Sequence, residues 1–144
     1  MFTAIQLRKE LNMTCNYTDN ASATTVQNVS GKAFQGEIWL ADLGEKIGSI
    51  EYGIRPVLII QNNIGNHFST TTIVAPLTAR YKKQLPVHFN LNSNCGLMFD
   101  SIVLMEQITT INQAQLIVRI GRINKENYSV VRKSITESFK GIFE

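Results

Sequence analysis

An arginine and a threonine stand where this chain can do chemistry. Arg55 lies in Tyr52-Gly53-Ile54-Arg55-Pro56-Val57-Leu58-Ile59-Ile60-Gln61-Asn62, where a loop turns into an apolar run. Val57 to Ile60 is unbroken hydrophobic sequence, which predicts a buried strand in a rigid core. Pro56 fixes its own φ and forces Arg55 into an extended conformation. A guanidinium is thereby held on a short tether at the rim of a stiff sheet, beside a glycine-bearing loop. Such a preorganised cation suits a phosphoryl group that gains negative charge during reaction. The plainer reading is an arginine paired with a surface carboxylate, and sequence alone leaves both open.

Thr78 closes the next apolar-alternating run, directly before Ala79-Arg80-Tyr81-Lys82-Lys83. If the two runs pair antiparallel, Arg55 at the start of one lies beside Thr78 at the end of the other. A hydroxyl and a guanidinium converging there form a phosphate-sized site. Arg80, Lys82 and Lys83 around Tyr81 can contact phosphates and stack a base, or can be a solvated loop. Glu106 and Gln107 can read base edges by hydrogen bonds, or can be ordinary exposed polar residues. His67 and His88 are read as separate, solvated side chains rather than an acid–base pair. No nucleophile elbow, P-loop, dinucleotide fingerprint or metalloprotease helix is present.

The elements that must position these residues follow from periodicity. Glu37–Asp42 reads as a strand with Trp39 and Ala41 on one side and Ile38 and Leu40 on the other. Arg55–Gln61 is the second strand and Asn62–Thr70 is loop chemistry. Thr71–Thr78 is the third strand, with Pro76 predicting an edge or a bulge near its end. Leu85–Leu91 follows, with Val87, Phe89 and Leu91 inward and His88 and Asn90 outward. Asp100–Ile108 and Leu116–Ile123 complete the strands. Tyr128, Val131, Ile135, Phe139 and Ile142 then recur at spacings of three and four, one apolar stripe of a closing helix with Asn124 as its N-cap. The fold class read from this is mainly β with a C-terminal helix, arranged as a small, twisted, partly closed barrel.

The bulk properties fit. A chain of 144 residues with 44% hydrophobic and 17% charged residues is long enough for one domain with a real core. A formal net charge of +3 permits a polyanionic partner without demanding one. Cys15 and Cys95 stand far apart with no metal-ligand spacing around them, which argues against a zinc site and for free thiols in a reducing, cytoplasmic setting. Residues 1–34 read as an N-terminal extension, with a short helix over Thr3–Leu11 and a linker from Thr14 to Ser30. Residues 35–144 read as the folded domain.

Over that domain the sequence resembles the MazF/PemK-like toxins of type II toxin–antitoxin systems. The resemblance is carried, in order, by Gly36-Glu37-Ile38-Trp39-Leu40-Ala41-Asp42-Leu43, by Gly48-Ser49, and by Gly53-Ile54-Arg55-Pro56-Val57-Leu58-Ile59-Ile60-Gln61-Asn62. Ile64-Gly65-Asn66-His67-Phe68-Ser69, Ile73-Val74-Ala75-Pro76-Leu77-Thr78 and Asp100-Ser101-Ile102-Val103-Leu104-Met105-Glu106-Gln107-Ile108 continue it. It implies an SH3-like barrel of the CcdB/MazF type, a homodimer, and a cognate antitoxin as partner. It implies an endoribonuclease that cuts single-stranded RNA at short sequences, without metal or cofactor, by 2′-OH attack that leaves 2′,3′-cyclic phosphate and 5′-OH ends. The family's essential arginine and threonine fall on Arg55 and Thr78. Ser49, Glu51, Asn62, Glu106 and Gln107 match the segments that line its RNA groove, and Lys82 joins them from the basic cluster. The chain departs from the family at Gly48-Ser49-Ile50-Glu51-Tyr52-Gly53, where Gly-Ser-Glu-Gln-Gly-Gly is common, and at Thr109, where arginine is frequent. A non-catalytic nucleic-acid-binding barrel and a gyrase-inhibiting toxin resembling CcdB are the rival readings.

Overall fold

The computed structural model describes residues 32–80 and 82–142. The expected helix at Thr3–Leu11, the linker after it, and Tyr81 lie outside the described residues. Among the described residues seven strands form: β1 Glu37–Asp42, β2 Ile54–Ile59, β3 Thr71–Thr78, β4 His88–Leu91, β5 Ser101–Leu104, β6 Thr109–Asn112 and β7 Leu116–Arg122. Two α-helices accompany them there, α1 Asn63–Phe68 and α2 Tyr128–Ser138. All pairings are antiparallel, in the order β4-β5-β3-β2-β1-β7 with β6 on β3. The mainly β antiparallel sheet with a C-terminal helix is therefore present. The ladder does not close into the expected barrel, because its end strands β4 and β7 are not paired with each other. They are brought near by a turn instead. A Cβ on Gly121 of β7 would come within 1.6 Å of the Cys95 carbonyl oxygen, so the backbone of the turn after β4 lies directly on β7.

Both faces of the sheet are covered, which explains its apolar runs. On one face Ile38, Leu58, Ala75, Leu77, Val103 and Met105 form a buried cluster, against which Tyr128, Val131 and Ile135 of α2 pack. On the other, Trp39, Ala41, Val57, Ile59, Val74 and Ile111 form a second cluster. The alternation predicted for β1 and β3 holds. The stripe predicted on α2 is shorter than expected: Phe139 and Ile142 lie past the helix end and are exposed. The period continued in the sequence after the backbone had left the helix.

Three further differences have local causes. Asn62–Thr70 is not all loop. Asn62 takes an extended conformation and its side chain accepts from the Gly65 amide at 2.8 Å, which starts α1. Asp100–Ile108 is not one strand. Met105–Gln107 forms a 3-10 turn with Met105 fully buried, and the chain re-enters the sheet as β6. Pro76 marks neither an edge nor a bulge. On one side it faces Val57 of β2. On the other it stands where the partner of β3 changes, from β6 opposite Val74 to β5 opposite Leu77, so its missing N–H falls in the gap.

Candidate active site

Arg55 is the second residue of β2, and the loop before it is closed at its base. Leu43 N–H donates to Gly53 O at 2.9 Å and Gly53 N–H to Gly44 O at 2.8 Å. Gly53 has φ +70°, a turn that a side chain would strain. The guanidinium is then fixed from two sides. Its Nε donates to Tyr52 O at 2.7 Å, and its Nη1 pairs with Glu51 Oε2. The other oxygen of the same carboxylate, Glu51 Oε1, accepts from Lys82 Nζ at 2.8 Å. One largely buried carboxylate thus bridges two cations. The Tyr52 ring lies 5.7 Å from the Arg55 guanidinium carbon and 5.6 Å from Lys46 Nζ, a position that attracts both cations. Arg55 is thus paired with a carboxylate, as the plain reading has it, but with a largely buried one and not one on the surface. Its carboxylate partner is Glu51, four residues upstream in the loop.

Thr78 is 4% exposed, at the end of β3. Its Oγ1 accepts from the Arg80 amide at 3.3 Å. β2 and β3 pair antiparallel with Val57 opposite Pro76. Two residues further along the same register, Arg55 comes level with Thr78. Both residues have the parity of Val57 and Val74, so both project on the face of the Trp39 cluster. The condition set by the sequence, an antiparallel pair joining the start of one strand to the end of the next, is met.

One residue, Gln107, acts on the loop that carries Glu51. Gln107 Oε1 accepts from Glu51 N–H at 2.7 Å, and Gln107 Nε2 donates to Ser49 O at 3.3 Å. Its amide thus grips both ends of the Ser49–Glu51 segment. Glu106, beside it, accepts from His88 Nε2 at 2.8 Å. His67 is exposed, as expected, its ring edge-on to Phe68. His88 is not solvated: it is buried on β4, and among the described residues its Nδ1 has no hydrogen-bond partner. The alternation of His88 and Asn90 with apolar residues predicts solvent on the outward side of β4. At Asn90 it is solvent; at His88 it is interior.

The remaining expected site residues are more scattered. Arg80 and Lys83 are exposed, and Lys82 alone of that cluster reaches Glu51. Asn62 lies past the opposite end of β2, capping α1. Among the described residues no three His, Cys, Asp or Glu side chains come together to hold a metal ion. Cys95 is a buried free thiol, and Cys15 is outside the described residues.

The rim of the antiparallel sheet thus bears a clamped cation and a strand-end hydroxyl. A family model described as the PemK-like, MazF-like toxin of type II toxin–antitoxin systems matches residues 34–139. The chain is 41% identical to endoribonuclease EndoA of Bacillus subtilis over 103 residues, 70% of this chain and 89% of that protein. It is 39% identical to endoribonuclease MazF of Staphylococcus saprophyticus over 103 residues, covering 70% and 86%. A solved mycobacterial endoribonuclease in complex with its cognate antitoxin has the same fold, with a TM-score of 0.63 at 20% identity over 74% of this chain and 94% of that one. The protein belongs to the PemK-like, MazF-like toxin family.

Proposed function

We propose that this protein is a toxin that acts as a sequence-specific, metal-independent endoribonuclease on single-stranded RNA, held in check by a cognate antitoxin. The observation that supports it most is the register of β2 and β3, which continued by two residues runs Arg55 level with Thr78 on one face. In this reading the 2′-OH of one nucleotide attacks the adjacent phosphorus and the P–O5′ bond breaks. The 2′-OH loses one proton and the departing O5′ gains one, so no metal, cofactor or water is consumed. Arg55 neutralises the equatorial oxygens of the phosphorane, where charge builds up, and Thr78 donates to one of them. The incoming phosphate takes the place of the Glu51 carboxylate on Arg55, while Lys82 keeps hold of Glu51.

Ser49, Glu51, Asn62, Lys82, Glu106 and Gln107 complete the proposed RNA groove. Ser49 and Gln107 set the shape of the loop, Lys82 and Glu51 flank the scissile phosphate, and Glu106 faces a base. Asn62 meets a nucleotide farther along the strand. The fold is read as a partly open SH3-like barrel, supported by the turn after β4 lying on β7. The working unit is read as a homodimer in the cytoplasm, where the RNA substrate is found. Among the described residues no helix is long and apolar enough to cross a membrane.

Incubating the purified protein with a long RNA in EDTA and sequencing the new ends tests this. Cuts at a short recurrent sequence, with cyclic-phosphate and 5′-OH termini, are expected. RNA bound but left intact overturns the assignment in favour of a binding module. Poisoning of DNA gyrase with intact RNA overturns it in favour of a CcdB-like inhibitor.

A further inference from the structure

Among the described residues the Arg55 guanidinium meets three groups, and two of them belong to Tyr52. The Tyr52 carbonyl oxygen accepts from Nε at 2.7 Å, and Cζ stands over the Tyr52 ring, 5.7 Å from its centroid. The third group is the Glu51 carboxylate on Nη1. In the proposed reaction an RNA phosphate replaces Glu51. Both contacts that outlast this exchange therefore come from one residue.

The two contacts restrict different motions. The carbonyl belongs to the backbone just before the turn at Gly53, and it occupies Nε. A phosphate is thereby limited to the two Nη groups. One hydrogen bond still lets the planar guanidinium pivot about the N–H···O axis. A ring face within about 6 Å attracts the cation and opposes that pivot. The attraction is stronger where water is excluded, and the Arg55 side chain is only 15% exposed. Tyr52 is itself half-buried, so its ring is a fixed surface rather than a swinging one. Lys46 Nζ stands over the same ring at 5.6 Å, but Lys46 is exposed and its point charge can leave for water. Arg55 is tied to Tyr52 at Nε and stays. The loop sequence common in the family has glycine at this place, which offers a carbonyl but no ring.

We infer that Tyr52 is a positioning residue for the proposed cleavage: its ring holds the Arg55 guanidinium in the orientation that meets the phosphorane once Glu51 has let go. This deepens the endoribonuclease reading and rests on it. Orientation matters most where charge is building up, so the effect belongs to the chemical step and not to the capture of RNA.

The test measures kcat and KM on one RNA for the wild type, Tyr52→Phe, Tyr52→Leu, Arg55→Ala and the double variant Tyr52→Leu/Arg55→Ala. Phe keeps the ring, whereas Leu keeps bulk and carbonyl without it. Tyr52→Leu is expected to lower kcat about fivefold with KM nearly unchanged, and Tyr52→Phe to restore it. The double variant should be no slower than Arg55→Ala, since no guanidinium is left to hold. Wild-type kcat in Tyr52→Leu overturns the inference. So does an equal loss in Tyr52→Phe, or a change confined to KM, which would make the ring a surface for RNA. A second measurement does not depend on a variant folding. In the wild-type protein without RNA, nuclear Overhauser contacts are expected between the Tyr52 ring protons and the Arg55 Nε–H, and their absence overturns the inference. If the wild type cuts no RNA at all, the endoribonuclease reading fails, and the Overhauser contacts still decide whether the ring holds the guanidinium.

Discussion

The two ends of β2 are built on different principles. At its start, Arg55 is held by hydrogen bonds and charges: Tyr52 O, Glu51 and, through Glu51, Lys82. At its far end the strand runs into apolar packing. Leu58, Ile59 and Ile60 line a cleft of about 530 Å³ together with Tyr128, Val131 and Ile135 of α2. The apolar end is held by dispersion contacts that are many and undirected. The charged end is held by a few bonds, each with a direction. Catalysis on a diester needs the second kind of order. In the proposed reading the difference also explains why the chemistry belongs at a rim and not in the cleft beside α2: a polymer must lie across the edge, and a cleft under a helix offers it no path.

Substitutions at the two ends should separate activity from stability. The largest effect is expected from Arg55→Ala. It should lower the rate of RNA cleavage by about 10²- to 10³-fold. The thermal midpoint should move little, since Glu51 keeps Lys82. Near-normal cleavage would sever the charged end from the reaction. Thr78→Val comes next. It removes one hydrogen bond to a charged phosphoryl group, worth roughly tenfold to a hundredfold in rate. It should appear in kcat more than in KM, and an effect confined to KM would make Thr78 a binding residue only. At the other end, Asn62→Ala should cost about 1 kcal/mol of stability in a denaturant titration, the usual worth of an N-cap. Asn62→Asp keeps the cap, loses the amide donor and adds a negative charge. It should leave stability unchanged and raise KM for RNA a few-fold, by loss of roughly one exposed hydrogen bond. If both Asn62 variants bind RNA normally, the groove stops short of α1.

How much of this was legible in the sequence depended on whether the signal was local. β1 and β3 were readable to the residue, because strict alternation over six to eight positions is a local property. Arg55 was readable because proline and the apolar run fix its place by themselves. Its partner was not: Glu51 reaches it only because the loop closes through Gly53 and Gly44 and is gripped by Gln107 from 56 positions away. The expected strand Asp100–Ile108 overruns β5 because Met105 is as apolar as a strand residue should be and only tertiary burial turns it inward, and β6 at Thr109–Asn112 goes unread. α1 was hidden by Asn, Gly and Ser, although Asn62 followed by Gly65 contained the cap. His88 was misread because a polar residue on an alternating strand was equated with solvent, in a sheet that is covered on both faces.

The bridge made by Glu51 has one more consequence, for the influence of dissolved salt. Arg55, Lys82 and the carboxylate between them amount to two positive charges and one negative, so a strand arriving there meets a net single cation. Binding of RNA normally weakens with ionic strength by about 0.7 logarithmic units per neutralised phosphate for single strands. Here an internal anion is exchanged for an external one. The protein should therefore keep its grip on RNA at salt concentrations where a site with two free cations would already have released it.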